Sequence, residues 1–297
     1  MKRTMEIPMK FSTLLALLVL AVLPMDLNAQ KVGPARGALV IVGGGMQDPA
    51  IAQRFIDLAG GPQALIVVIP TAGGGETYDP FYRGLKTFRD QGATNLLVLH
   101  TRDRDEADSD AFVQPIREAG GVWFSGGRQW RLADSYLGTR TEDELWKLLD
   151  RGGVIGGSSA GATIQGSYLA RGDTKTNTIM MGDHEEGFGF LKNTTIDQHL
   201  LRRNRQFDLI EIIKAKPELL GIGLDENTAI VVQDDWFEVI GASYVAIYDH
   251  QKMIGEGGNF YFLAPGDRYD LVKREAFRPA RQMHPVERVE VRPWGGQ

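Results

Sequence analysis

Hydrophobic residues in this chain fall into short unbroken runs closed by glycine-rich turns, and most runs are followed by apolar residues at helical spacing. Ala38–Val42 reads as a buried strand ending in Gly43-Gly44-Gly45, and residues 48–59 carry Ile51, Phe55, Ile56 and Leu58 on one helical face. A second strand is predicted at 64–69, closed by Pro70-Thr71-Ala72 and further glycines. A helix at 80–91 would turn Phe81, Leu85 and Phe88 inward. Strands at 95–99 and Gly121–Phe124 flank a short helix at 112–119. Helices follow at 128–136 and 141–150, the latter opening on a capping box of Thr141 and Glu144. Val154 and Ile155 form a fifth strand, and helices are expected at 162–169 and from His199 to about Ala215.

Continuously apolar strands alternating with helices predict an α/β fold, a doubly wound and mostly parallel sheet covered on both faces. Runs at 229–232, 236–240 and 244–248, with another at 260–262, predict a C-terminal antiparallel extension of the same domain. Glycine clusters after the strands, at Gly43, Gly73, Gly126 and Gly156, are expected to meet in the crevice at the strands' carboxyl ends.

Composition narrows the function. The chain has 297 residues, a net charge of −5 and no dominating basic stripe, which speaks against a nucleic-acid partner. With no cysteine, disulfides, thiolate metal sites and cysteine nucleophiles are excluded. Lys2, Arg3 and Lys10, an apolar run at 11–23, Pro24 and Leu27-Asn28-Ala29 read as a signal peptide over 1–29. The apolar run is short for a membrane span. The expectation is a secreted or periplasmic protein, off the membrane after cleavage, with one domain at 30–285 and a tail at 286–297.

Gly157–Gly161 fits G-x-S-x-G, with Ser159 central, an apolar strand before it and an alanine-rich helix start after it. A sharp strand-to-helix turn needs small neighbours, and it leaves the serine clear of the backbone with the next amide aimed at a developing oxyanion. Gly43–Gly45 lacks the G-x-G-x-x-G spacing of a dinucleotide loop. A serine nucleophile needs a base and an acid to orient it. His199 is the best-placed of His100, His184, His199, His250 and His284, because it ends an apolar segment between acidic and amide residues. For the acid, Asp173, Asp183, Glu185 and Glu186 lie between Ser159 and His199, and Asp225 and Glu226 lie downstream. Asp173, in the turn Gly172-Asp173-Thr174, is preferred.

Four runs carry a family resemblance: F-S-G-G-R-Q-W-R-L at 124–132, G-G-S-S-A-G-A at 156–162, D-Q-H-L-L-R-R-N-R at 197–205 and G-I-G-L-D-E-N-T-A at 221–229. In this order they resemble the cyanophycinase branch of the peptidase E-like serine peptidases, over residues 38–249. The resemblance implies a sheet related to class I glutamine amidotransferases, often in a homodimer. It implies a Ser-His-acid peptidase acting on peptides at aspartyl or β-aspartyl residues, with no metal and no organic cofactor. Carried onto this chain, it makes Ser159 the nucleophile and His199 the base. The amides of Gly127 and Ala160 become the oxyanion hole, and Gln129, Asp197, Gln198, Arg203 and Arg205 become substrate-pocket residues. An aspartate near Asp173 in peptidase E supports that residue as the acid. Where cyanophycinases usually place a further arginine, this chain has Asp208.

Overall fold

The computed structural model describes residues 31–252 and 258–280. The expected signal peptide at 1–29 and the tail at 286–297 lie outside the described residues.

Strands β1 (Ala38–Val42), β2 (Ile66–Ile69), β3 (Leu96–Val98), β4 (Gly121–Phe124) and β5 (Val154–Ser158) pair in parallel in the order β1-β5-β4-β2-β3. Their side chains alternate between two cores, as the two-residue period of a strand requires. Leu39, Ile41, Val67, Ile69, Val122, Phe124 and Ile155 enter one core. Val40, Val42, Ile66, Val68, Trp123 and Val154 enter the other. Ile51, Phe55 and Ile56 of α1 (Pro49–Leu58) and Phe88 of α2 (Lys86–Asp90) cover this second face. The first face is covered by α3 (Arg104–Ala107), α4 (Asp110–Glu118), α5 (Gln129–Tyr136) and α6 (Arg140–Asp150). A fully buried Leu, Ile or Phe here contributes about 1.5–3 kcal/mol. The doubly wound sheet is therefore as the hydrophobic pattern predicts.

After β5 comes the single turn α7 (Ala160–Thr163), then β6 (Gly166–Tyr168), β7 (Leu191–Gln198), α8 (Leu209–Ala215) and β8 (Leu220–Leu224). The antiparallel strands are β9 (Thr228–Gln233), β10 (Trp236–Gly241), β11 (Val245–Asp249), β12 (Tyr261–Leu263), β13 (Arg268–Asp270) and β14 (Glu275–Phe277). Strand β9 pairs with β1 and carries the main sheet on through β10, β13 and β14, to nine strands among the described residues. The rest of the predicted extension, β11 and β12, instead joins β8, β7 and β6 in a second sheet, β12-β11-β8-β7-β6, of five strands among the described residues. Ile196, Ile222, Val245 and Ile247 face the main core from this sheet. Its other side is closed by Leu209, Ile212 and Ile213 of α8 on Ala246 and Tyr248.

Several local expectations change. The helix expected at 162–169 is only α7 followed by β6, because Gly166 and Tyr168 pair with Leu191 and Thr195 of β7. The helix expected from His199 begins at Leu209, since His199 and Asn204 take positive φ of 55°. Phe81 is 81% exposed, and the chain is still turning there, with Asp79 accepting from the Phe81 amide. The capping box is absent: Thr141 Oγ1 donates to the Ala107 carbonyl, and Glu144 pairs with Arg117 and Lys147.

Candidate active site

Ser159 follows the last residue of β5 with φ 57° and ψ −112°, a strained left-handed conformation for a residue with a side chain. The glycines around it are required by close approach. A Cβ on Gly157 would lie 2.2 Å from the Gly161 carbonyl oxygen, and one on Gly161 would lie 2.1 Å from that of Phe124. The Ser159 amide donates to Val42 O at 3.0 Å, and its carbonyl accepts from Ala162 and Thr163. The turn is thus locked between β1 and α7.

His199 stands at the end of β7 in the second sheet, so the junction of the two sheets brings it to Ser159. Ser159 Oγ is 2.9 Å from His199 Nε2, and His199 Nδ1 is 2.7 Å from Glu226 Oε1 in the β8–β9 turn. A carboxylate only accepts, so Nδ1 carries the ring proton and Nε2 is left to accept from the Ser159 hydroxyl. Burial, the largest influence, holds the His199 imidazole below its ordinary value. The Glu226 hydrogen bond pulls the other way, and the charge of Arg203 lowers it further. The ring is therefore neutral near pH 7 and able to take a proton.

The loop after β1 is the wall behind this pair. The His199 amide donates to Gly43 O at 2.9 Å, and the Asn227 amide donates to Gly44 O at 2.7 Å. Gly44 leaves the space that the imidazole fills, and Gly45 does the same for Glu226, whose Oε2 would lie 2.8 Å from a Cβ there. Asp225 joins the two arms. Its Oδ1 accepts from the amides of Leu201 and Arg202 at 3.0 and 2.9 Å, and its Oδ2 accepts from Ser243 Oγ at 2.7 Å.

Asp173 is not the carboxylate at His199. It is buried, and its Oδ1 accepts from the amides of Lys175 and Thr176 at 2.9 and 2.8 Å. The polar turn that suggested it uses the carboxylate locally, a common fate for aspartate in a tight turn. Glu226 was legible only as one of two downstream alternatives, since nothing in its neighbours says which of Asp225 and Glu226 faces the imidazole.

The other candidates divide. Gly127 lies beside the serine's turn, where a Cβ would sit 2.0 Å from Ala72 O, and Ala160 is the first residue of α7. Gln129 is fully buried, and its Nε2 donates to the carbonyls of Ala170 and Arg171 at 2.7 and 3.0 Å. Asp197 is fully buried in a two-pronged pair with Arg171, at 2.8 and 3.1 Å. Arg171 also pairs with Asp208. Burial works against the Arg171 charge, and the hydrogen bonds to Asp197 and Asp208 outweigh it, so its guanidinium is held above its ordinary value. Arg205 Nη1 donates to Gln198 Oε1 at 2.6 Å. Of the expected pocket residues, Arg203 alone has an exposed side chain. Sequence reading did not single out Arg171. Elsewhere, His184 bridges Asp134 and Asp183, and His100 meets Thr71.

An open α/β sheet with a serine–imidazole–carboxylate chain at the carboxyl ends of its strands defines a serine-type hydrolase. Residues 39–240 match the family model described as peptidase family S51, and the chain belongs to that family as a cyanophycinase-like serine-type peptidase. It is 32% identical over 228 residues to a cyanophycinase of Geminocystis herdmanii, covering 73% of this chain and 82% of that one. It is 31% identical over 261 residues to a cyanophycinase of a Nostoc species, covering 79% and 86%. The fold is similar to that of a peptidase from an acI-B1 actinobacterium, with a TM-score of 0.62 and 24% identity over 80% of this chain and 98% of that one.

Proposed function

We propose that this chain is an exported serine peptidase that hydrolyses aspartyl or β-aspartyl peptide bonds through an acyl-enzyme, with Ser159 as nucleophile, His199 as base and Glu226 as the orienting acid. The observation that carries the reading is the continuous hydrogen-bonded chain from Ser159 Oγ through both ring nitrogens of His199 to Glu226. The strained φ of Ser159 and the glycines around it support a nucleophile elbow.

In the first half-reaction Ser159 Oγ attacks the scissile carbonyl carbon while its proton passes to His199 Nε2. The amides of Gly127 and Ala160 stabilise the oxyanion. His199 then gives the proton to the leaving nitrogen, and the C–N bond breaks. In the second half a water loses a proton to His199 and attacks the ester carbon; the C–O bond to Ser159 then breaks as His199 returns the proton to Oγ, which releases the acid and restores the serine. The aspartyl preference is supported by the relatives named cyanophycinase. Arg203, exposed beside His199, offers a cation on the leaving-group side of the scissile bond. Asp208 pairs with Arg171, so the charge standing in place of a family arginine is already matched inside the protein.

Turnover of a β-aspartyl peptide beside its β-alanyl analogue tests the reading. A β-aspartyl preference is expected, and equal kcat/KM would reduce the assignment to a general serine hydrolase. For export, sequencing the protein secreted by its native host should give a first residue near Gln30, and intact Met1 in the cytoplasmic fraction would overturn that part.

A further inference from the structure

The carboxyl ends of the parallel strands form a row. Gly43–Gly45 follow β1, Ser159 follows β5, Gly126 and Gly127 follow β4, residues 72–75 follow β2, and Arg102 lies just beyond β3. His199 and Glu226 stand at the β1 end, and two guanidinium groups stand at the other. Arg131 Nη1 donates to Ala72 O at 3.1 Å, and Arg102 Nη2 donates to Gly73 O and Gly75 O at 2.8 and 2.9 Å. Both groups therefore hold the same short glycine loop. That loop touches the serine's surroundings through one intermediary. Gly127 packs against Ala72 O, and a Cβ on neighbouring Gly126 would lie 3.8 Å from Ser159 Oγ. Strand β2 is two strands from β5, about 10 Å at the usual strand spacing.

Neither guanidinium meets a carboxylate among the described residues. Their hydrogen bonds go to backbone oxygens, and nearby Glu106 accepts from Thr101 Oγ1 instead. Burial first, and then the charges of Arg102 and Arg128, hold the Arg131 guanidinium below its ordinary value. Like charges gathered without a counter-ion at the edge of a crevice raise the local concentration of anions there. The direction of the chemistry says which part of a substrate arrives. His199 must meet the leaving nitrogen, so the leaving group lies towards β1, which leaves the exposed glycines after β4 and the loop after β2 as the surface for the acyl group.

We propose that Arg131 and Arg102 form an anion subsite on the acyl side of the scissile bond, which takes the carboxylate of an acidic acyl residue. The subsite is separate from Arg203, on the His199 side, and its role in turnover rests on the peptidase reading above. It makes the preferred substrate a peptide whose acyl residue carries the negative charge, whatever its leaving group.

The test compares aspartyl and asparaginyl p-nitroanilides on the wild type, Arg131→Met, Arg102→Met/Arg131→Met, Arg131→Lys and Arg203→Met. It also measures calorimetric binding of N-acetylaspartate and N-acetylasparagine to Ser159→Ala, with and without Arg131→Met. The ratio of kcat/KM for acid over amide is expected to fall at least tenfold in Arg131→Met and further in the double variant. Arg131→Lys should restore much of it, and the N-acetylaspartate preference of Ser159→Ala should vanish with Arg131→Met. An unchanged ratio in the double variant, or a ratio that collapses in Arg203→Met alone, overturns the subsite while leaving the peptidase reading intact. Wild-type protein that cleaves neither substrate, while Ser159→Ala binds N-acetylaspartate through Arg131, overturns the peptidase reading and supports the subsite.

Discussion

Gly44 and His199 share one space: a Cβ on Gly44 would lie 2.3 Å from His199 Cε1 and 2.6 Å from Nδ1. The loop after β1 thereby sets where the imidazole just after β7 can stand, although the two strands belong to different sheets. Gly44→Ala should push the ring off the Ser159 hydroxyl, and the residue's φ of 133° adds backbone strain. A displacement of about 1 Å at such a contact is worth about a hundredfold in rate. A fall of that size in kcat, with a smaller change in KM, is expected from steady-state kinetics.

Glu226→Gln replaces an acceptor-only group with one whose amide can leave the imidazole in the wrong tautomer. The expected loss in kcat is about 10³–10⁴-fold. Asp173→Asn keeps an oxygen for the Lys175 and Thr176 amides and should change kcat only slightly. Assaying the two variants side by side checks the acid assignment, and a larger loss in Asp173→Asn would reverse it.

The acid limb of kcat/KM should reflect His199. Protonation removes the base, and the imidazole is held below its ordinary value of about 6.5, so activity should persist below that pH. Arg203→Met removes a charge that lowers the imidazole, and the limb should move to higher pH. Glu226→Gln removes an influence that raises it, and the limb should move to lower pH. Profiles of kcat/KM from pH 4 to 8 check both signs.

Asp225→Ala removes the acceptor of three hydrogen bonds: two tie the segment after His199 to the β8–β9 turn, and the third ties that turn to Ser243 in the β10–β11 loop. Each donor left without its partner costs about 1–3 kcal/mol. A lower Tm together with a lower kcat is expected from thermal melts and kinetics, because both His199 and Glu226 lose their common support.

Arg171→Met leaves Asp197 buried without its main partner, and breaking such a pair costs about 3–5 kcal/mol. The double variant Arg171→Met/Asp197→Leu should regain part of that in denaturant unfolding. No recovery would mean that the pair does more than neutralise its own burial.

Much of the architecture was legible because its signals are local. Unbroken apolar runs such as Ala38–Val42 bury both faces of a strand, and that requires a parallel sheet with helices on each side. The small residues flanking Ser159 and the apolar segment ending at His199 drew attention for the same reason: turn chemistry and burial are written in neighbouring residues. The second sheet was not legible, because β8 and β9 are adjacent runs of similar composition that separate into different layers. Pairing partners are chosen by the whole core, and no window of sequence contains that choice.

By itself, then, the sequence determined the alternation of strands and helices, the small-residue turn around Ser159 and the nearness of His199 to acidic neighbours. Tertiary structure decided which carboxylate reaches the imidazole. Asp173 lies closer to His199 along the chain, but its lone pairs satisfy its own turn, while Glu226 is delivered by β8 and β9 from two different sheets. Tertiary structure also turned Asp197 inward onto Arg171 and left Arg131 and Arg102 without a carboxylate partner among the described residues. A charge's role depends on what folds against it, and those partners lie tens of residues away.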